Sequence, residues 1–129
     1  MVAGILHRDL SLNNIMYRIV KEKDEAGVIE EKVCGVLTDF DLALWTNTPD
    51  QDYAKTLQQK TGTPPYMAHG LLLGWDALHL YKHDLESLFY IILILATHYE
   101  IQALEEGKKG GIRMQDGDLP YREWFNEPI

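Results

Sequence analysis

An aspartate and an asparagine lie five positions apart near the start of the chain, in the segment HRDLSLNN at residues 7–14. The residues between Asp9 and Asn14 are too irregular for a strand and too polar for a helix interior, which indicates a tight loop. Carboxylate and amide oxygens are ligands that suit hard cations. The segment therefore predicts a loop for phosphate and metal chemistry.

A hairpin is expected to bring a second acidic segment to this loop. Residues 15–20 are β-branched and aromatic and predict a strand that leaves the loop, and residues 32–38 predict its partner. The charged residues 21–27 between them indicate a solvated turn. The hairpin would return the triplet Asp-Phe-Asp at residues 39–41 to Asn14, so that acidic and amide groups converge as a metal site requires.

The middle of the chain has weaker patterns. Residues 42–59 have few periodic apolar positions and predict a loop with at most one helical turn, at residues 53–57. Residues 62–67 contain two prolines, which remove backbone donors and restrict the preceding residues, so an ordered extended segment is expected there. A short helix is expected to end at residues 71–73, before Gly74.

The strongest helix prediction covers residues 83–100. Asp84 is placed at its N-terminus, where a carboxylate caps the helix or interacts favourably with the macrodipole. The middle of the helix is apolar on all sides, which is typical of a helix at the centre of a domain. The chain after residue 102 is rich in glycine and charge and is predicted to be a loop.

Composition limits the class of protein. A chain of 129 residues with 46% hydrophobic residues fits one globular domain. The net charge of −8 argues against nucleic acid as a partner. The longest uncharged apolar run, residues 88–96, is about half of what a membrane span needs. Cys34 is the single cysteine, so no internal disulfide can form, and a reducing intracellular compartment, cytoplasmic or nuclear, is expected.

Two histidines share a spacing that zinc sites use. His79 and His83 are separated by one helical turn, but the segment HLYKH lacks the glutamate of the metalloprotease motif. We therefore interpret both as surface or hydrogen-bonded histidines rather than metal ligands.

Four motifs in order resemble the second half of a eukaryotic-type protein kinase domain. They are HRDLSLNN at 7–14, TDFDLA at 38–43, GTPPYMA at 62–68 and HDLESLFY at 83–90. The serine after HRD, the DFD triplet and the HDLES helix are most similar to the fungal-type protein kinase group. The resemblance implies that residues 1–129 are a partial kinase domain with an α+β, mainly helical fold. In such a domain residues 7–14 form the catalytic loop, a β-hairpin lies between this loop and the DFD motif, and a central helix is buried.

The resemblance also implies roles for the polar residues. Asp9 would be the catalytic base that accepts or orients the substrate hydroxyl proton, and Thr63 would hydrogen-bond it beside that hydroxyl. Asn14 would ligate one Mg²⁺, and Asp39 would hold the Mg²⁺ that bridges the phosphates of ATP. The substrate of such a domain is a protein serine or threonine, bound on a platform formed by Gly62, Thr63, Pro64, Pro65 and Tyr66.

Four further residues would have structural or regulatory roles by resemblance. Phe40 would pack against His7, and Asp84 would brace the backbone of the catalytic loop from the central helix. Arg8 would pair with a phosphate on the loop that follows the DFD motif. The candidate phosphate acceptors in that loop are Thr46, Thr48, Thr56 and Thr61.

Three positions depart from the family pattern. Ser11 stands where serine/threonine kinases usually have a lysine, so one positive charge is missing. Asp41 replaces the usual glycine of the metal-binding triplet and adds a carboxylate. The sequence Ala-His-Gly at residues 68–70 stands where Ala-Pro-Glu is expected, and the glutamate that ties this segment to a distant arginine is absent.

No residues before His7 could supply the glycine-rich loop and lysine that hold the phosphates of ATP. The sequence therefore predicts negligible phosphotransfer and poor solubility for this chain by itself, and an apolar central helix covered by a partner chain or by the rest of a longer protein. Two alternatives stay open: a non-catalytic pseudokinase-like interaction module, and a small-molecule phosphotransferase of the kinase-like superfamily, against which GTPPYMA argues.

Overall fold

Three antiparallel strand pairs and three α-helices are present in the part of the chain that the structure describes. The computed structural model describes residues 4–46, 51–102, 111–115 and 120. The elements in chain order are β1 (Ile5–Leu6), β2 (Ile15–Lys23), β3 (Ile29–Leu37), β4 (Leu44–Trp45), α1 (Gln51–Gln58), α2 (His69–Leu72), α3 (Tyr81–His98), β5 (Tyr99–Gln102) and β6 (Gly111–Met114). Single 3₁₀ turns cover Leu12–Asn14 and Pro64–Tyr66.

Strands β2 and β3 form the hairpin that lies between the catalytic loop and the DFD triplet. They pair antiparallel over the whole of both strands, in the register Ile15↔Leu37. The turn is closed by Asp24, whose Oδ1 accepts the N–H groups of Ala26 and Val28 at 3.0 and 2.7 Å. Lys21 and Glu31 form a cross-strand ion pair. The strands extend into the charged residues because paired opposite charges are accepted on an exposed hairpin.

Helices and strands contribute similar shares of the described residues, so the prediction of a mainly helical fold is wrong. One cause is the length of the β2–β3 hairpin. A second cause is the pairing of β5 with β6, in the register Tyr99↔Met114, where the sequence predicted a loop. Alternation of apolar and charged residues in the short β6 strand favours this pairing. The glycines and lysines that precede it dominated the sequence pattern.

The segment between the DFD triplet and the GTPPYMA motif is more ordered than predicted. Strand β4 pairs with β1, and α1 spans eight residues instead of one turn. Helix α2 ends before Gly74, as expected, and the N–H of Gly74 donates to the carbonyl of Leu71 at 3.1 Å.

Helix α3 packs against the catalytic loop. Its buried residues Ile91 and Ile94 pack with Tyr66 of the GTPPYMA motif, and Leu10 and Leu12 of the catalytic loop pack against the same cluster. This cluster therefore joins two of the four sequence motifs to the helix that carries a third. Burying side chains of this size stabilises the fold by roughly 1.5–3 kcal/mol each.

The opposite face of α3 is open to solvent. Leu85, Phe89 and Ile92 are 49%, 58% and 56% exposed. In the described residues the packing partners of α3 lie on one side only, so this chain alone does not bury the helix on all sides. Coverage of the open face by a partner chain or by the rest of a longer protein stays a prediction. None of the helices in the described ranges has the length and apolarity that a membrane span requires.

Candidate catalytic site

The catalytic loop is closed by hydrogen bonds within its own backbone and from Asn14. The side-chain Nδ2 of Asn14 donates to the carbonyl of Asp9 at 2.8 Å. The N–H of Asn14 donates to the carbonyl of Ser11 at 3.1 Å, which forms the 3₁₀ turn at Leu12–Asn14. Asn14 is buried, so these bonds are shielded from water. These hydrogen bonds fix the position of Asn14 relative to Asp9.

The DFD triplet lies next to Asn14, where the hairpin returns it. Thr38 donates its N–H and its hydroxyl to the carbonyl of Asn14, at 2.9 and 3.2 Å. Because Asp39 follows Thr38 directly, its backbone adjoins Asn14. Asp39 has φ = 61°, a left-handed conformation that Asp and Asn tolerate better than other side chains.

His7 joins the same two segments. Its Nε2 donates to the carbonyl of Thr38 at 2.9 Å, and its Nδ1 accepts the N–H of Asp9 at 3.3 Å. The ring of Phe40 lies edge-on to the ring of His7, with 4.9 Å between centroids. This is the packing that the resemblance implied for these two residues, and it holds the triplet against the catalytic loop.

The GTPPYMA motif contacts the catalytic loop from the other side. The hydroxyl of Thr63 donates to Oδ1 of Asp9 at 2.7 Å. The hydroxyl of Thr61 donates to the carbonyl of Arg8 at 3.2 Å. Oδ2 of Asp9 has no hydrogen bond to any residue in the described ranges. One carboxylate oxygen is thus held by Thr63 and the other is left to accept a proton or a hydroxyl.

Gly62 lies between these two threonines in a conformation that only glycine adopts readily. Its φ is 131°, and a Cβ there would lie 3.1 Å from Cε of Met67. We expect Gly62→Ala to lower the free energy of unfolding by about 1–3 kcal/mol because of backbone strain. Gly35→Ala is the control, since a Cβ at Gly35 meets nothing within 4 Å. Equal stability of the two variants in urea unfolding would contradict the strain at Gly62.

Asp84 of α3 holds the backbone of the catalytic loop. Its Oδ2 accepts the N–H of His7 at 2.7 Å, and its Oδ1 accepts the N–H of Arg8 at 3.1 Å. Nε2 of His79 lies 2.9 Å from the same Oδ1. Burial raises the pKa of Asp84, but the hydrogen bonds from His79, His7 and Arg8 outweigh it and hold the pKa below its usual value. The ionised carboxylate is the form that the loop requires.

The guanidinium of Arg8 is buried against backbone carbonyls of the segment after the DFD triplet. It donates to Leu42 at 3.3 Å, to Thr56 at 2.7 Å and to Gln59 at 3.0 Å. Two of these carbonyls lie at the C-terminus of α1, where unsatisfied carbonyls and the macrodipole favour a cation. The phosphate-pairing role of Arg8 stays a prediction. Of its candidate partners, Thr48 lies outside the described residues.

The departures from the family pattern have clear positions. Ser11 is 2% exposed, so its hydroxyl lies in the interior, away from solvent. Asp39 and Asp41 are exposed. The side-chain oxygen of Asn14 and the carboxylate of Asp39 bond no residue in the described ranges. An amide oxygen and a carboxylate are ligands that fit Mg²⁺, which completes its coordination with water and phosphate oxygens.

The Ala-His-Gly segment has an anchor that differs from the expected glutamate. Oε1 of Glu86, on α3, accepts the N–H of His69 at 2.8 Å and the hydroxyl of Tyr90 at 2.7 Å. Burial and the neighbouring Glu86 carboxylate raise the pKa of Tyr90 to about 12, so the phenol stays a donor. Glu86 of the central helix therefore anchors the Ala-His-Gly segment, which lacks the glutamate of the family pattern.

A second contact holds the same segment at Gly70. The N–H groups of Trp75 and Asp76 donate to the carbonyl of Gly70 at 2.8 and 3.0 Å. Asp76 lies so close that a Cβ on Gly70 would be 2.2 Å from its Oδ2. Nε2 of His83 bonds that same oxygen at 3.0 Å. A glycine is thus needed where the family pattern has a glutamate.

Three residues of this site had no functional role in the sequence interpretation: His79, Glu86 and Tyr90. His79 and His83 are hydrogen-bonded, as interpreted, but both are buried rather than at the surface. His79 precedes α3, so it does not share a helical turn with His83. The i,i+4 spacing of Glu86 and Tyr90 on a helix could have indicated their pairing.

Comparisons with known proteins agree with the four motifs. The sequence model of the family described as "Fungal protein kinase" matches residues 1–96. The chain is 27% identical to the serine/threonine-protein kinase CHK1 of Saccharomyces cerevisiae over 124 residues, which are 94% of this chain and 21% of that protein. The chain thus spans about a fifth of the length of this relative. No solved structure matches the chain.

Proposed function

Because the chain belongs to the fungal protein kinase family, we propose that its catalytic loop serves the transfer of the γ-phosphoryl group of ATP to serine or threonine hydroxyls of proteins. The family match confirms the resemblance from which the roles of the site residues were taken. The observation that carries the proposal is the 2.7 Å hydrogen bond from Thr63 to Asp9, because it joins the substrate platform to the catalytic base.

In this proposal Asp9 orients the attacking hydroxyl and accepts its proton. Thr63 donates to Oδ1 of Asp9, so Oδ2 is the oxygen that is left for an incoming hydroxyl. Phosphoryl transfer has a loose transition state, so positioning of the nucleophile contributes more than proton abstraction does. The hydrogen bonds of His7 and Asn14 to the backbone at Asp9 support this positioning, since they restrict the motion of the loop.

Asn14 and Asp39 are the residues that would hold Mg²⁺. Their side-chain oxygens fit a hard cation, and Thr38 ties the two segments together at the carbonyl of Asn14. When bound, Mg²⁺ neutralises charge on the phosphates of ATP and fixes their orientation. The proposal gives Ser11 no part in this neutralisation, because it is buried and uncharged.

The platform after Thr63 supports a protein rather than a small molecule as the acceptor. Pro64 and Pro65 form a rigid 3₁₀ turn that is capped by the N–H of Met67, and Tyr66 is buried in the core beneath it. Pro64, which is exposed at this turn next to the base, lies where the proposal places an extended peptide. The non-catalytic alternative rests on Ser11, Asp41 and the Ala-His-Gly segment, which depart from the pattern of active kinases.

The test is phosphoryl transfer by the gene product purified from its native cells, at whatever chain length those cells produce. We expect Mg²⁺-dependent incorporation of phosphate from labelled ATP into a mixed peptide library, as phosphoserine or phosphothreonine. Chelation of Mg²⁺ should abolish the incorporation. A purified product that binds peptides but transfers no phosphate would overturn the proposal in favour of the interaction module. Phosphate that appears only on small-molecule alcohols would favour the small-molecule phosphotransferase.

A further inference from the structure

His79 lies at the meeting point of the central helix, helix α1 and the catalytic loop. Its Nε2 is 2.9 Å from Oδ1 of Asp84, and its backbone N–H donates to the carbonyl of Leu57 in α1 at 2.9 Å. His79 is only 3% exposed. This buried polar residue therefore connects helix α1 with helix α3, which lie more than twenty residues apart along the chain.

We propose that His79 is a positioning residue of the catalytic loop: its ring fixes the Asp84 carboxylate, and through it the backbone on which Asp9 is carried. The inference rests on the proposed function for the task of the loop, but its geometry is independent of any catalysis. The sequence offered no motif for His79, and the family roles discussed above do not include it.

The hydrogen bonds around His79 form a closed circuit. Oδ1 of Asp84 receives both His79 and the N–H of Arg8, at 2.9 and 3.1 Å. The guanidinium of Arg8 donates to the carbonyls of Thr56 and Gln59, on either side of the Leu57 carbonyl that His79 bonds. The carboxylate of Asp84 therefore holds two backbone N–H groups of the catalytic loop and the ring of His79. The end of α1 is held by the guanidinium of Arg8 and by the backbone N–H of His79.

The ring of His79 has Asp84 as its single hydrogen-bond partner in the described part of the chain. Its Nδ1 is buried and has no hydrogen-bond partner there. Because a carboxylate only accepts, the proton in this contact belongs to Nε2. A buried nitrogen without a partner costs free energy that a purely apolar side chain would avoid. The arrangement therefore favours the Asp84 contact over simple filling of space.

His83 provides a matched control within the same structure. It is 1% exposed, and its Nε2 bonds a carboxylate oxygen of Asp76 at 3.0 Å. The other side-chain donor to Asp76 is Lys82, at 3.1–3.2 Å, and not the catalytic loop. The two histidines thus share deep burial and a carboxylate partner, but the carboxylate that His83 bonds does not hold the catalytic loop. His83 also accepts the N–H of Leu80 at its Nδ1, at 2.9 Å, and its ring lies edge-on to that of His79, with 5.5 Å between centroids.

The test measures amide hydrogen exchange in the purified gene product, at the chain length that its cells produce, for His79→Leu and His83→Leu. We expect the amides of His7 and Arg8 to exchange faster by on the order of tenfold in His79→Leu, relative to core amides of α3 such as Ile91. In His83→Leu the same ratio should stay at the wild-type value. His79→Gln, which can present its amide nitrogen where Nε2 was, should restore most of the protection.

Three results would overturn the proposal. Unchanged protection of His7 and Arg8 in His79→Leu would show that Asp84 needs no help from His79. Equal losses of amide protection at His7 and Arg8 in the two leucine variants would show that His79 only fills space. If these amides exchange as fast in His79→Gln as in His79→Leu, the hydrogen bond of His79 is excluded as the cause. Amide exchange requires no turnover, so a failure of the proposed kinase activity is seen separately, in the transfer assay.

Discussion

Asp9→Asn is expected to lower phosphoryl transfer by the gene product about 10² to 10⁴-fold, which is the usual contribution of a positioned general base. Asparagine has the same shape, and its oxygen can still accept the hydroxyl of Thr63, which lies 2.7 Å from Oδ1 in the native site. The variant replaces Oδ2 by an NH₂ group, which can neither accept the hydrogen bond that orients the substrate hydroxyl nor take up its proton. We therefore expect the free energy of unfolding to change by less than about 1 kcal/mol.

Glu30→Gln is the matched control for this variant. It makes the same carboxylate-to-amide change on the exposed β2–β3 hairpin, where Glu30 pairs with Glu22 across the strands. Rates of phosphate incorporation from labelled ATP should be equal for Glu30→Gln and the wild type. Transfer by Asp9→Asn within a factor of about three of the wild-type rate would remove Asp9 from the mechanism, because loss of a base costs far more.

Asp84→Ala is expected to have the largest effect on stability, a loss of about 3–5 kcal/mol. The substitution removes the acceptor for the N–H groups of His7 and Arg8 and for the ring of His79. Each buried donor left without an acceptor costs roughly 1–3 kcal/mol. A loss of this size is a large part of the net stability of a small domain, about 5–15 kcal/mol. Urea unfolding of the purified chain measures it.

The same carboxylate predicts a dependence of stability on pH. Because the pKa of Asp84 is lower in the folded chain than in the unfolded one, its contribution is complete above the unfolded pKa. The contribution is lost as the pH falls below about 4 and through the lower folded pKa. Asp84→Asn should show a flatter loss of stability between pH 5 and 3. Parallel curves for Asp84→Asn and the wild type would contradict the role of this carboxylate.

The parts of the site that short motifs specify could be predicted from the sequence. HRDLSLNN indicated the loop of Asp9 and Asn14, and the β-branched runs indicated the hairpin that returns Asp39 to it. The family itself is confirmed by the match over residues 1–96. These features are local, because spacing along the chain determines them, and a pattern of residue types is enough to find them.

Several contacts between distant segments could not be predicted from the motifs. His79 bonds both Asp84 and the carbonyl of Leu57, and Glu86 caps the N–H of His69, and each contact depends on how α3 packs. The β5–β6 pairing was missed because strand propensity depends on the partner strand. What covers the exposed face of α3 could not be predicted, because the apolar pattern of a helix does not say which neighbours pack on it.

The central claim is that Asp39 and the catalytic loop form one metal-dependent phosphotransfer site, and a change of metal preference tests it most directly. In the gene product, Asp39→Cys should lose transfer supported by Mg²⁺, because a thiolate is a poor ligand for a hard cation. Transfer should return in part when Cd²⁺, which prefers sulfur ligands, replaces Mg²⁺, while the wild type gains nothing from Cd²⁺. Transfer by Asp39→Cys with Mg²⁺ at the wild-type rate would contradict the claim.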